Sequence, residues 1–387
     1  MRILITSIID LENSAHSRLH NFVDYLSSQN HDVTVISIYD PWKEKQKSGT
    51  ADAFDHISQK VRIFKLTRKK ISPIFQEIFS FAYLRILEDK LELSSYDVHL
   101  NYSSLALGYA VSKKIERYST PTIYDIADNL PEMAGSSPLL DVFLRPLAKT
   151  VARFFLSKNI ALSSRITVPS ASLGKLLGLP ALKTEVLHNG VDFSKFKERN
   201  KTRSSKLKIC YLGVLREWVA LDKVILSIKG IDKSVELHII GKEGDYQKYR
   251  ELVVKNYLQK SVFFHGVVPY SMVPDALSKM DVGILPFLNS PITNIAFPLK
   301  VLEYTAAGLA IVSSPLTEVV DTYGDNIIYA TSQEEWHNAF VLLLSNHTKY
   351  IKRIVNLKKS LYRFDWSNIS NKLEKLMLSV VSEQKRR

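Results

Sequence analysis

The stretch Pro298-Leu299-Lys300-Val301-Leu302-Glu303-Tyr304, closed by Ala307-Gly308 and followed by an apolar run over 309–312, decides how this chain is read. It predicts a helix opening on Pro298, where a missing backbone N–H costs little. Gly308 predicts the stop, and residues 309–312 the next strand. Lys300 falls in the first turn, where the helix dipole favours anions over cations. Free N–H groups with a lysine beside them form a cradle for a phosphate-bearing ligand. Glu303, three residues on, shares a face with Lys300 and is placed to accept a hydroxyl beyond the phosphates. On spacing alone the two residues read equally well as a surface ion pair.

At 387 residues the chain exceeds one ordinary core and predicts two domains. A single cysteine, Cys210, excludes an intramolecular disulfide framework, and its setting in Ile209-Cys210-Tyr211-Leu212 reads as a buried strand thiol. The run Ile3-Leu4-Ile5 meets Asp10 and Glu12 too soon for a signal-peptide core. No apolar stretch is long enough to span a bilayer. A cytoplasmic protein is expected, soluble or peripheral to the inner face of the cell membrane. The net charge of +13 calls for an anionic partner. Residues 347–387 hold eleven Lys/Arg against Asp365, Glu374 and Glu383, which reads as a basic tail for lipid or nucleic acid, or as solvated helix faces.

Outward from the opening stretch, strands are predicted at 208–212, 236–240, 262–265 and 282–286, separated by helical segments. The first half repeats the pattern with strands at 2–8, 32–38, 61–66, 97–102, 121–124 and 166–169. Such alternation favours parallel sheets covered on both faces, an α/β class. The Asn-Gly turn in Leu187-His188-Asn189-Gly190-Val191-Asp192 and the polar run after it mark the domain junction. We divide the chain into 1–187, 188–365 and a C-terminal helix over 366–387 expected to pack back toward the first domain.

The ordered landmarks resemble the GT-B glycosyltransferases, and within them glycosyltransferase family 4. They are His188-Asn189-Gly190-Val191-Asp192, Tyr211-Leu212-Gly213, Leu237-His238-Ile239-Ile240-Gly241, Phe264-His265-Gly266, Asp281-Val282-Gly283-Ile284-Leu285-Pro286 and the opening helix. The resemblance implies two Rossmann-like domains with parallel sheets facing a central cleft, the first binding an acceptor and the second a nucleotide-sugar. It implies transfer of a sugar from a UDP- or GDP-linked donor to a glycan or lipid-linked glycan, with retention and with no metal or other cofactor.

By the same resemblance Glu303 is the second glutamate of a Glu-x7-Glu pair and contacts the donor ribose. The first would stand at Ile295, a departure that turns attention to Thr293 and Asn294 as holders of the donor sugar. Their other reading is ordinary loop chemistry. Arg216 and Lys300 are expected to clamp the diphosphate, with Ala220 standing where a second cation is usual and Trp218 at the cleft wall. Arg216 alternatively pairs with Glu217. Gly213 and Gly241 would let backbone approach the donor, with Pro298 and Leu299 opening the helix beside it. Asp128 replaces a histidine usual in the family and is the expected catalytic carboxyl, with Asp125 close by. Either aspartate could instead cap the next helix. Ser14, His16 and Arg18 line the other candidate loop.

Residues 65–87 and 139–158 combine Lys and Arg with aromatic and aliphatic residues in a pattern that suits an anionic membrane surface. The second stretch reads better as an amphipathic helix buried in the domain. Two rival classes fit parts of the sequence. A nucleic-acid binder suits the charge, but the basic residues are dispersed and carry no recognised signature, so no nucleic acid is expected. A nucleotide-sugar binder with impaired catalysis suits Ile295 and Ala220.

Overall fold

The computed structural model describes residues 1–14, 17–40, 61–88, 90–136, 140–196, 205–241, 244–294 and 297–386. His16 and Ile295 therefore lie outside the described residues. The chain divides into two compact units, Met1–His188 with Ile369–Arg387, and Asn189–Asn368.

Unit 1 is built on a parallel sheet of β1 (Arg2–Ser7), β2 (Asp32–Ser37), β3 (Val61–Lys65), β4 (Val98–Tyr102), β5 (Thr122–Asp125), β6 (Arg165–Val168) and β7 (Thr184–Val186). Their order is β3-β2-β1-β4-β5-β6-β7. Its helices are α1 (Arg18–Ser28), α2 (Pro73–Ile78), α3 (Ser80–Glu88), α4 (Ala106–Ile115), α5 (Leu130–Gly135), α6 (Arg145–Leu162) and α7 (Ala171–Leu176).

Unit 2 repeats the plan with β8 (Leu207–Leu212), β9 (Val235–Ile240), β10 (Val262–Gly266), β11 (Val282–Leu285), β12 (Ala310–Ser313) and β13 (Ile328–Tyr329), ordered β10-β9-β8-β11-β12-β13. Its helices are α8 (Leu221–Ser227), α9 (Tyr246–Lys255), α10 (Val273–Ser278), α11 (Pro291–Asn294), α12 (Leu299–Ala306), α13 (Thr317–Tyr323) and α14 (Gln333–Leu361). A last helix, α15 (Trp366–Lys385), belongs to unit 1 from Ile369 onward.

Burial explains why these strands are apolar on both faces. Along β8, Ile209 and Tyr211 join one core layer while Cys210 and Leu212 join the other. Helices cover both faces of such a sheet, so alternation gives way to near-continuous hydrophobicity. Cys210 is fully buried, as its strand setting predicted. The two short strands β7 and β13 carry too few residues for a sequence pattern. The basic C-terminal stretch forms α14 and α15, whose Lys349, Lys352, Lys359, Lys372 and Lys375 are exposed, the solvated-face alternative.

One contact seats α12 on the sheet. Tyr304 lies flat against Gly283 of β11, so closely that a Cβ at that glycine would collide with the ring. Its hydroxyl accepts from the Leu212 N–H at 3.0 Å and donates to the Ile284 carbonyl at 3.2 Å, bridging β8 and β11. Gly283→Ala should therefore cost about 1–3 kcal/mol through overpacking. A urea titration checks it: the midpoint falls with the slope unchanged, and an unmoved midpoint would contradict the packing described.

Candidate functional site

β8 and β11 are neighbours in the sheet but not in sequence, so the strand order reverses between them. Open α/β sheets bind ligands at the carboxyl ends of strands flanking such a point. The chain leaves β8 at Gly213, with φ of +127°, and leaves β9 at Gly241, with φ of +145°. A Cβ on Gly241 would strike the Gly213 carbonyl, and one on Gly213 would strike the Lys300 side chain, its Nζ 2.6 Å away. Both positions need glycine for conformation and for space.

α12 begins at Leu299, with Pro298 as its N-cap rather than its first helical residue. Pro298 is buried and Leu299 exposed, and Lys300 follows in the first turn. Its ammonium donates to the Tyr211 hydroxyl at 3.1 Å and lies 4.7 Å from the Tyr211 ring centre and 4.9 Å from that of Phe287. Lys300 is half-buried and Glu303 buried, and Tyr270 donates a hydrogen bond to the Glu303 carboxylate. The surface-pair reading of Lys300 and Glu303 is therefore overturned. Burial lowers the Lys300 pKa to about 8, with Glu303 pulling it back up. Burial raises that of Glu303 to about 7, opposed by Lys300 and Tyr270. In each, the surrounding protein disfavours the charged form by more than the neighbouring groups restore.

The other expected residues of unit 2 differ in availability. Arg216 is exposed in the loop after β8, and among the described residues its guanidinium has no ion pair, with Glu217 or otherwise. Ala220 is buried at the N-cap of α8, and its N–H donates to the Pro286 carbonyl. Trp218 packs against the core layer around β8. The Thr293 hydroxyl is engaged inside its own loop: it donates to the Leu288 carbonyl at 2.5 Å and accepts from the Ser290 N–H at 3.0 Å. Its hydroxyl is thus engaged within the loop, as the loop-chemistry alternative has it. Asn294 ends α11, its amide donating to Asn289 and its carbonyl accepting from Thr317 N–H at 3.4 Å.

In unit 1 the two aspartates after β5 have opposite settings. Asp125 is fully buried and receives Arg18 Nε at 3.0 Å, Arg18 Nη2 at 2.9 Å and the Thr167 hydroxyl. The third guanidinium nitrogen of Arg18 donates to the His188 carbonyl at 2.7 Å. Asp125 is thereby a structural anchor and not a free carboxylate. Asp128 is an exposed residue, with protein close around its carboxyl. Desolvation raises its pKa to about 6, Arg18 lowering and Asp125 raising it further. It does not cap α5; Asn129 does, accepting from Glu132 N–H. Ser103, in a left-handed conformation (φ +50°), accepts from the Ala127 N–H and so fixes the segment leading to Asp128. Among the described residues the buried Ser14 hydroxyl meets no hydrogen-bond partner.

Sequence reasoning missed Tyr211, Tyr270, Phe287 and Ser103 as parts of these constellations. Tyr211 stood in a quoted landmark, but as a strand residue; nothing in the sequence marks Tyr270 as a partner of Glu303. Among the described residues, no three His, Cys, Asp or Glu side chains are grouped to hold a metal.

Comparison with known proteins agrees with this layout. The family described as "Glycosyl transferases group 1" matches residues 206–346. An uncharacterised glycosyltransferase of Methanocaldococcus jannaschii, MJ1069, is 23% identical over 201 residues, 47% of this chain and 49% of that protein. TuaH of Bacillus subtilis, a putative teichuronic acid biosynthesis glycosyltransferase, is 24% identical over 204 residues, 50% of each chain. The matches thus span about half the length of these curated relatives. HepE of Anabaena, solved in complex with UDP, superposes with a TM-score of 0.68 at 15% identity, covering 98% of this chain and 100% of its own.

The Arg18–Asp125 pair yields a direct test. Arg18→Met strands a buried carboxylate and should destabilise by about 3–5 kcal/mol. Adding Asp125→Asn should recover part of that loss, read as a coupling in a double-mutant cycle. Strict additivity would show that the two side chains do not depend on each other.

Proposed function

Because residues 206–346 belong to the glycosyl transferases group 1 family and the chain has the GT-B fold, we propose that it transfers a sugar from a nucleotide-diphosphate-sugar to a hydroxyl of a glycan or lipid-linked glycan. The observation that carries this reading is the desolvated Lys300–Glu303 pair beside Gly213 and Gly241, at the point where the strand order reverses.

The donor is UDP- or GDP-linked; HepE's structure with UDP supports the first. Lys300 and the N–H groups opening α12 receive the diphosphate, whose charge supplies what burial denies the lysine. Arg216, exposed and without an ion pair among the described residues, adds a two-pronged contact. Glu303 accepts the ribose hydroxyls, with Tyr270 holding its carboxylate. Thr293 and Asn294 support the sugar end through their loop backbone and amide rather than through the Thr293 hydroxyl. The reaction is retaining and needs no metal. The bond from the anomeric carbon to the β-phosphate oxygen breaks, the acceptor oxygen bonds on the same face, and its proton passes to the departing phosphate. Cationic stabilisation of that leaving group is worth about 2.7–4 kcal/mol per well-placed donor, by analogy with oxyanion sites. Asp128, its proton affinity raised, orients the acceptor hydroxyl. TuaH's description supports a glycan acceptor.

A thermal-shift screen of nucleotide-sugars should find a UDP- or GDP-linked stabiliser, and absence of any would sink the donor reading. Glu303→Gln should keep the fold and lose at least tenfold in UDP affinity; Glu303→Ala should abolish transfer. Intact transfer by either variant excludes the assigned role, whereas donor binding by the wild type without transfer or donor hydrolysis would favour the impaired-catalysis reading.

The titrations give a pH signature. Binding needs Glu303 ionised and Lys300 protonated, so UDP affinity should fall below pH about 7 and above about 8. Calorimetry in buffers of different ionisation enthalpy should register proton uptake at pH 8, because the bound diphosphate raises the Lys300 pKa. A flat profile from pH 6 to 9 would contradict the assignment.

A further inference from the structure

Unit 1 leaves a connected set of large apolar side chains in water. Phe143 is 90% exposed, and Leu147, Val151 and Phe154 continue from it along one stripe of α6, at 61%, 41% and 53%. This overturns the expectation that residues 139–158 bury their apolar face. Phe75, Ile78 and Phe79 on and after α2, and Phe81 and Ile86 on α3, are likewise exposed. Aromatic contacts join the two regions across α4: Phe81 to Tyr109 at 6.0 Å, Tyr109 to Phe155 at 5.9 Å, and Phe155 to Phe154 at 5.3 Å. Scattered exposed hydrophobics are ordinary, but a contiguous patch marks an interaction surface.

The charges around it identify the occupant. Residues 65–88 hold five Lys/Arg against two Glu, and residues 140–158 hold four against one Asp. Arg68, Lys69, Lys70, Arg85, Arg153 and Lys158 are exposed. Lys158 reaches to 5.4 Å from the Phe154 ring centre, a cation at the margin of the apolar stripe. The carboxylate of Glu77 is turned inward, accepting from Ser104 and from the N–H groups of Leu105 and Leu107. A second copy of the chain would set this positive surface against itself, which like-charge repulsion disfavours. An anionic bilayer matches both features: aromatic and aliphatic side chains enter the headgroup boundary while the cations rest on lipid phosphates. No described helix is long and apolar enough to cross a membrane.

We propose that the exposed faces of α2, α3 and α6 dock unit 1 on an anionic lipid surface. Docking does not rest on the transfer reading, and its test is separate. The full chain should float with phosphatidylcholine vesicles containing phosphatidylglycerol and remain behind with phosphatidylcholine alone. High salt should release it, since each Lys or Arg near such a surface contributes about fivefold. The triple variant F143S/L147S/F154S should lose vesicle binding at least tenfold. So should Arg153→Glu with Lys158→Glu, a pair of exposed changes that spares the fold if the triple variant does not. Both sets should keep wild-type UDP affinity, whereas Glu303→Gln should lose UDP affinity and keep vesicle binding. Failure of the wild-type chain to float on anionic vesicles overturns the proposal. So does undiminished flotation of either variant, or a wild-type dimer that the serine substitutions dissociate.

Discussion

The second unit is organised by Tyr304 lying on Gly283. A tyrosine ring can approach a strand this closely only where the strand has no Cβ, and the hydroxyl then reaches Leu212 N–H and the Ile284 carbonyl. Those two groups lie near the carboxyl ends of β8 and β11, the pair between which the strand order reverses. One residue therefore ties α12 to two strands at the edge where ligands enter α/β sheets. Lys300 and Glu303 precede Tyr304 by four and one residues, so their positions follow from that attachment. The glycines after β8 and β9 then clear the space above them.

That placement has an electrostatic consequence. A lysine drawn down to about 8 and a glutamate pushed up to about 7 are both destabilised as ions by the same burial. Their mutual attraction favours both charges and is outweighed by burial in each. A core selected for stability alone would favour apolar residues of similar volume here. Perturbed ionisation at a strand end is in general a marker of function, and these two groups stand within the stretch that matches the glycosyl transferases group 1 family.

Much of this was legible before any coordinates. Eleven strands could be read from apolar runs punctuated by helical periodicity, because a parallel sheet buried on both faces leaves a simple hydrophobic signature. Gly213, Gly241, Lys300 and Glu303 could be placed because each sits at a fixed offset from a strand or helix end. Tyr270 could not, since its bond to Glu303 joins segments 33 residues apart with no periodic relation. Nor could the exposure of Phe143 and Leu147. An amphipathic helix shows which of its faces is apolar, but not whether anything covers that face.

Thr293 and Asp125 mark a different limit. Sequence identifies residue types able to bind a sugar or a proton, whereas chemistry depends on the bonding capacity the fold leaves over. The Thr293 hydroxyl already donates and accepts within its loop, and both oxygens of Asp125 are taken by Arg18, one of them also by Thr167. Redirecting either toward a ligand would leave a buried group unpaired, at about 1–3 kcal/mol or more. Asp128, three residues beyond Asp125, is exposed, and Arg216 carries no ion pair among the described residues. Two aspartates so near in sequence thus differ in setting: the buried one is held by an arginine that also grips the His188 carbonyl, while the other lies exposed three residues on.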